Sequence, residues 1–234
     1  MAVGSCALCW SGGKDSALAL HRLRAQGTAV RWLVNLFEQS SGRVRFHGVR
    51  AELVQAQAAG LGLQLVQRPV TPEGFEAAFR AALGELRARG CEAVAFGNVH
   101  LQEVRAWYEE RVRAAGLTHL EPLWGSPPGK LVREFLDLGY GAVVVSVDLR
   151  LGKAGWVGAQ VDEAFLRSVE EAGADPCGEF GEYHTFVFSG PAFLRPVRFR
   201  MGQLLEREGH RFVDLLPEEE GAEAPRGGSP GPLP

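Results

Sequence analysis

Six consecutive residues, Ser11-Gly12-Gly13-Lys14-Asp15-Ser16, gather two hydroxyls, an ammonium and a carboxylate around a pair of glycines. Paired glycines let a backbone fold until several N–H groups converge, and a lysine beside them adds a point charge. This is chemistry for an anion, above all for phosphate. Asp15 conflicts with a bare phosphate unless it caps a helix or holds a magnesium ion that bridges to the phosphate oxygens. The string is not the nucleotide loop that sets four residues between its first glycine and Gly-Lys-Ser/Thr. Residues 125–131 come nearest to that pattern, but they are one residue short and lack the hydroxyl after Lys130.

A second dense stretch runs Asp175-Pro176-Cys177-Gly178-Glu179-Phe180-Gly181-Glu182-Tyr183-His184-Thr185. Glu179, Glu182 and His184 put two carboxylates and an imidazole within six residues, and Gly178 and Gly181 let the chain turn tightly between them. Such a loop can hold magnesium, receive an amine-bearing substrate or hand on a proton. His47 is a further candidate. Cys6 and Cys9 have the spacing of a metal or redox pair, but they fall in an apolar stretch that reads as a strand. Positions three apart on a strand point to opposite sides, so both are expected as small buried residues. His21, Arg22 and Arg24 read as a helix surface, and Trp107 and Tyr108 as core or interface, not as platforms for bases.

The elements that must position these groups follow from periodicity. Residues 3–10 read as a strand and 15–26 as a helix with Gly27 as its stop, so the Ser-Gly-Gly string sits between strand end and helix start. There the first turn of the helix offers unpaired donors and the positive end of its dipole. Further strands are expected at 30–37, 63–67 and 93–96, and helices at 50–59, from Thr71-Pro72 to Gly90, and at 101–115. Repeated strand-helix-strand units imply a parallel sheet covered on both faces. Gly-Ser-Pro-Pro-Gly at 125–129 interrupts the pattern and marks a domain boundary. Beyond it come helices at 131–138 and 161–172 and strands at 142–147, 185–188 and 195–201. The expected division is residues 1–125, residues 126–216 as a smaller α+β domain, and a disordered tail over 217–234.

Composition bounds the partners. The chain has 234 residues, a hydrophobic fraction of 46% and a net charge of -3, all of which resides in the glutamate-rich tail, leaving a balanced body. That argues against a polyanion binder and hence against nucleic acid. No apolar run reaches the roughly 20 residues of a membrane span, and no signal peptide opens the chain, so a cytoplasmic protein is expected.

The SGGKDS string after the first strand resembles the PP-loop of the N-type ATP pyrophosphatases, with their adenine nucleotide alpha hydrolase-like α/β fold. The stretch from Gly178 to Thr185 resembles the GE-x-GEYHT signature of the diphthine-ammonia ligase family. Phe46-His47-Gly48-Val49-Arg50, Phe96-Gly97-Asn98 with Glu103 and Arg105, and Glu121-Pro122-Leu123-Trp124 resemble that family in order and context. Asn98 and Gly158-Ala159 depart from it.

The resemblance implies an ATP-dependent ligase that adenylates a carboxylate, releases pyrophosphate and forms an amide with ammonia or another amine. It implies Lys14, Asp15, Glu179, Glu182 and His184 as catalytic residues. ATP would bind at Ser11, Gly12, Gly13, Lys14, Asp15, Ser16, Asn35 and Gly97, with Mg2+ at Asp15. The substrate would meet His47, Glu103, Arg105 and Tyr183. In the family the acceptor is diphthine on a translation elongation factor, and Glu182 with Tyr183 would suit its quaternary ammonium. A homodimer is compatible with this reading. Two rivals stay open: a tRNA-modifying ATP pyrophosphatase, and a non-catalytic adenine-nucleotide-binding module.

Overall fold

The computed structural model describes residues 4–218. Its first half is an open sheet in which β4 (Gln64–Val70), β2 (Val30–Glu38), β1 (Cys6–Cys9), β5 (Ala93–Ala95) and β6 (Thr118–Leu120) lie side by side, all parallel. The two-residue β3 (Arg43–Val44) pairs antiparallel with the end of β2. Alternate side chains feed two separate apolar clusters, as a sheet buried on both faces requires. Cys6, Leu8, Leu33, Ala93 and Ala95 join one cluster; Ala7, Trp32, Val34 and Val94 join the other. Cys6 and Cys9 accordingly pack into opposite clusters, and both are free thiols.

Helices α3 (Phe75–Ala88) and α4 (Gln102–Ala114) bring Phe79, Leu83, Leu86 and Val112 to the second cluster. Helices α1 (Lys14–Ala25) and α2 (Ala51–Leu61) bring Leu18, Leu20, Leu53 and Val54 to the first. Thr71-Pro72 does not start α3 but forms a turn ahead of it. Its hydroxyl accepts from Gly74 N at 3.2 Å, and the helix begins one residue later.

After Gly125, whose φ of 71° needs no Cβ, Pro128 opens α5 (Pro128–Asp137) at a position where its missing N–H leaves nothing unpaired. Strand β7 (Gly141–Asp148), helix α6 (Glu163–Glu171), β8 (Tyr183–Ser189), β9 (Phe199–Arg207) and β10 (His210–Pro217) follow. The strands form an antiparallel sheet in the order β8-β7-β10-β9. The last hairpin extends well beyond the single strand expected at 195–201. Its periodicity is hidden because β9 is an edge strand with Met201, Leu204 and Leu205 exposed, and because a bulge opposite Asp214 breaks its alternation. Pro217 closes β10 opposite Phe199, and residues 219–234 of the expected tail lie outside the described residues.

One apolar cluster runs through both halves, from Leu8 and Leu53 to Phe135, Val143 and Phe186. Around it, Arg50 and Arg43 both bond Asp214 at 2.8 Å, and Arg22 bonds Glu134 and the carbonyl of Pro122. Arg22 thus joins α1 to α5 and is not a solvated helix residue. Among the described residues no helix is long and apolar enough to cross a membrane.

Candidate active site

Strand β1 ends at Cys9, and Gly13 caps α1 four residues later. Between them Gly12 takes φ 89°, a conformation that side chains disfavour, so the chain reverses sharply. Ser16 Oγ accepts from Ser11 N at 3.2 Å and lies 3.1 Å from Ser11 Oγ, which itself accepts from Gly13 N at 3.3 Å. The turn is thus held from within by its own hydroxyls.

From outside, β8 clasps it. Val187 N donates to Gly12 O at 2.9 Å, and Lys14 N donates to Thr185 Oγ1 at 3.0 Å. Gln57 ties the two together: its Nε2 donates to Gly12 O at 2.9 Å and to Val187 O at 2.6 Å, while its Oε1 accepts from Trp10 Nε1 at 2.7 Å. Every polar atom of this fully buried amide is used, so it holds the turn without strain from an unpaired group. Sequence reasoning missed Gln57. A signal existed, because it is a polar residue on the apolar stripe Leu53, Val54, Ala58, Leu61 of α2.

Where the carboxyl ends of β1 and β5 face the start of β8, a cavity of about 270 Å³ opens. One end is polar, with Ser11, Lys14, Asp15, Ser16 and Glu179 in its wall and the rings of His47 and His184 beside them. The other end is apolar and aromatic, built by Leu36, Phe75, Phe79, Phe96 and Tyr108. Phe96 and Tyr108 lie 4.6 Å apart by ring centroid, and Phe79 meets Tyr108 edge-on at 5.3 Å. Tyr108 therefore lines the cavity, contrary to its expected role as plain core, while Trp107 packs on Phe79 and under Arg111. The four aromatic residues come from three separate segments, and no spacing in the sequence links them.

The charges at the polar end are tightly coupled. Lys14 Nζ contacts Asp15 Oδ2 at 2.9 Å, donates to the carbonyl of Cys177 and lies 4.9 Å above the Tyr183 ring. Burial is the largest single influence and would lower its pKa, but the Asp15, Tyr183 and Cys177 charges together outweigh it and hold the ammonium protonated well above the ordinary value. Burial raises Asp15, an effect that Lys14 only partly offsets. Glu179 accepts from Val99 N at 3.1 Å, and burial and then the Asp15 charge push its carboxyl up. His47 and His184 pack at 4.6 Å, and burial keeps both neutral: His47 falls to about 4 and His184 well below its usual range.

Other candidate residues take different places. Asn35 borders the cavity, but its amide is already engaged, donating to Trp10 O at 2.9 Å and accepting from Gln67 at 3.0 Å. Gly97 borders it too, and a Cβ there would lie 2.9 Å from the Asp15 backbone, so glycine lets β5 approach the first turn of α1. Glu182 does not reach the cavity. It is buried in its own loop, where its oxygens accept from Asp175 N at 2.9 Å and Phe180 N at 3.1 Å. Tyr183 is buried under Lys14 and donates to Pro176 O at 2.5 Å. Of the expected pair, Tyr183 borders the cavity with its ring under Lys14, while Glu182 is committed to backbone and lies outside the wall.

Glu103 is exposed in the first turn of α4 and stands apart from the cavity wall. Arg105 is also outside it, 3.2 Å from Glu121 and 4.5 Å from the Trp124 ring centroid. Asn98, which donates to Glu121 Oε1 at 2.8 Å, borders the cavity together with Phe96, Gly97 and Tyr108.

A glycine turn entering a helix N-terminus, at the carboxyl end of a parallel sheet and with an apolar ring slot beside it, defines the PP-loop class of α/β nucleotide-binding folds. Two family models match the chain: the diphthamide synthase N-terminal domain over residues 4–119 and the diphthamide synthase C-terminal domain over residues 127–212. The chain belongs to this family, the diphthine-ammonia ligases, which are ATP-using enzymes of diphthamide formation. No curated protein matches the chain. A solved structure titled as a predicted subunit of tRNA methyltransferase from Methanocaldococcus jannaschii is 16% identical, covering 80% of this chain and 98% of its own, with a TM-score of 0.46.

Proposed function

We propose that this chain is an ATP-dependent amide-forming ligase that adenylates a substrate carboxylate, releases pyrophosphate and then transfers the acyl group to ammonia or another amine. The observation that carries this reading is the two-ended cavity. Its aromatic end suits a purine, and its polar end, at the positive pole of α1, suits phosphates that gain charge as the α–β bond breaks. Lys14 and the hydroxyls of Ser11 and Ser16 are the donors available to the departing pyrophosphate. Phe96 and Tyr108 offer the stacking surface for the base.

Mg2+ fits the donor set. Mg2+ takes one or two carboxylates and finds its other ligands on phosphate and water. Asp15 and Glu179 both border the cavity, and the Asp15 charge raises the Glu179 carboxyl, a repulsion that a divalent cation relieves. When bound, the ion would neutralise charge on the phosphate oxygens.

The thiolating variant of the tRNA reading needs a cysteine that ionises readily. Cys9 and Cys177 border the cavity, but burial pushes both thiols well up, which favours the amide-forming reading. The test is exchange of labelled pyrophosphate into ATP in the presence of an elongation factor carrying diphthine. Exchange followed by amide formation on adding ammonium is the expected result. Nucleotide binding without exchange there, and none on adding tRNA, would leave only the binding-module reading standing.

A further inference from the structure

We propose that His47 is the proton acceptor of the amide-forming step, its Nε2 taking the proton that the amine nitrogen releases on bonding to the activated carbonyl carbon. This rests on the ligase reading above and gives one residue of that site a role. In the step, the amine nitrogen forms the C–N bond, the C–O bond to AMP breaks with its electron pair leaving on the phosphate, and one proton passes from nitrogen to Nε2. Atoms and charge balance without a further reactant.

The geometry singles out His47 among the titratable groups of the cavity. Its Nδ1 lies 3.2 Å from Thr185 O. A carbonyl oxygen only accepts, so that bond puts the hydrogen on Nδ1 and leaves Nε2 as the lone-pair nitrogen of a ring that borders the cavity. Thr185 also accepts from Lys14 N through its hydroxyl, so one residue of β8 sets both the imidazole tautomer and the start of α1. Gly13 makes room for the ring: a Cβ there would lie 3.0 Å from His47 Cε1.

Lys14 and the glutamates are committed to differing extents. Lys14 is protonated and bonded to Asp15 and Cys177, Glu182 is turned into its loop, and one oxygen of Glu179 is held by Val99 N. His184 packs against His47 as a second neutral ring.

The groups facing His47 make it a weak base, and bound nucleotide would strengthen it. Burial comes first and lowers it, the Thr185 hydrogen bond partly opposes that, and the Lys14 charge on α1 adds to the burial, while His184 on β8 presents no charge. Nucleotide phosphates beside Lys14 oppose the lysine field and raise the basicity of the ring when it is needed.

The decisive variant is His47→Asn, whose amide nitrogen can replace Nδ1 toward Thr185 while nothing replaces Nε2. With ATP, diphthine-bearing elongation factor and ammonium, amide formation is expected to fall by about a hundredfold or more. Pyrophosphate exchange should fall far less, and the acid limb of the pH–rate profile should vanish. Amide formation within threefold of the parent, with that limb retained, would overturn the assignment. Nitrogen-15 NMR of the parent protein provides a measurement free of turnover. Hydrogen on Nδ1 of neutral His47, and a pKa that rises on adding AMP, support the role, whereas hydrogen on Nε2 sinks it and leaves the ligase reading intact. Failure of the parent to exchange pyrophosphate at all removes both.

Discussion

The two glycine-rich loops of the site use similar residues in opposite ways. In the loop at 11–16 the charged side chains of Lys14 and Asp15 border the cavity, and the turn is held by hydroxyls and by β8. In the loop at 175–182 one carboxylate, Glu182, is consumed by the backbone of its own turn, and Glu179 is the loop's carboxylate that borders the cavity. Two glutamates three residues apart thus divide the tasks of holding a loop and of meeting a ligand. A buried carboxylate whose two oxygens each accept a backbone N–H holds its loop in shape.

The comparison is broken most severely at Lys14. Lys14→Met removes the one ammonium at the polar end and leaves the Cys177 carbonyl without its donor. Pyrophosphate exchange is expected to fall by about a thousandfold, with a weaker nucleotide affinity measured by calorimetry. Near-parental exchange in that variant would mean that the loop at 11–16 holds no leaving group.

Glu182→Ala and Glu179→Gln separate the two glutamates directly. Removing Glu182 leaves the part-buried N–H groups of Asp175 and Phe180 without their acceptor, so it is expected to lower stability by about 1–2 kcal/mol, measured as a loss in chemical denaturation and a lower melting temperature. Glu179→Gln keeps the shape and can still accept from Val99 N, so its melting temperature should stay near the parent. Its turnover should fall by about tenfold to a hundredfold, because a carboxylate facing Asp15 and any bridging cation is gone. If Glu182→Ala folds as well as the parent and only turnover suffers, the division between the two loops is wrong.

How much of this was legible in the sequence differs by region for a physical reason. The loop at 11–16, the strand-helix alternation and the glutamate-rich loop are local, and local spacing carries them. The aromatic end of the cavity is assembled from Phe75, Phe79, Phe96 and Tyr108 on α3, α4 and the end of β5, and only the fold brings them together. Asn35 and Gly97 were expected beside a nucleotide and do border the cavity, yet one has its amide committed and the other serves as a close-approach glycine. Glu103 and Arg105 sit near the site in sequence, but helix α4 turns them elsewhere. The hairpin of β9 and β10 escaped because an exposed, bulged edge strand has no clean alternation to read.

The smallest effect tests the histidine pair by pH. A buried neutral imidazole binds its proton less readily folded than unfolded, so the unfolded chain holds more protons between the folded value, about 4 for His47, and the unfolded value of 6.5. Stability from this source is therefore full above pH 6.5 and is lost as pH falls toward 4. The lowered His184 adds to the same slope. The melting temperature should rise between pH 4.5 and 6.5, and His47→Asn should flatten that rise by removing one of the two groups. Asp148, held down to about 2 by Arg150, loses its contribution only at lower pH, whereas Asp15 and Glu179, raised by burial, oppose the histidine slope equally in parent and variant, so the difference between the two isolates His47. An unchanged slope in His47→Asn would mean that the ring is solvated and charged in the folded protein, and the neutral pair beside the loop at 11–16 would have to be given up.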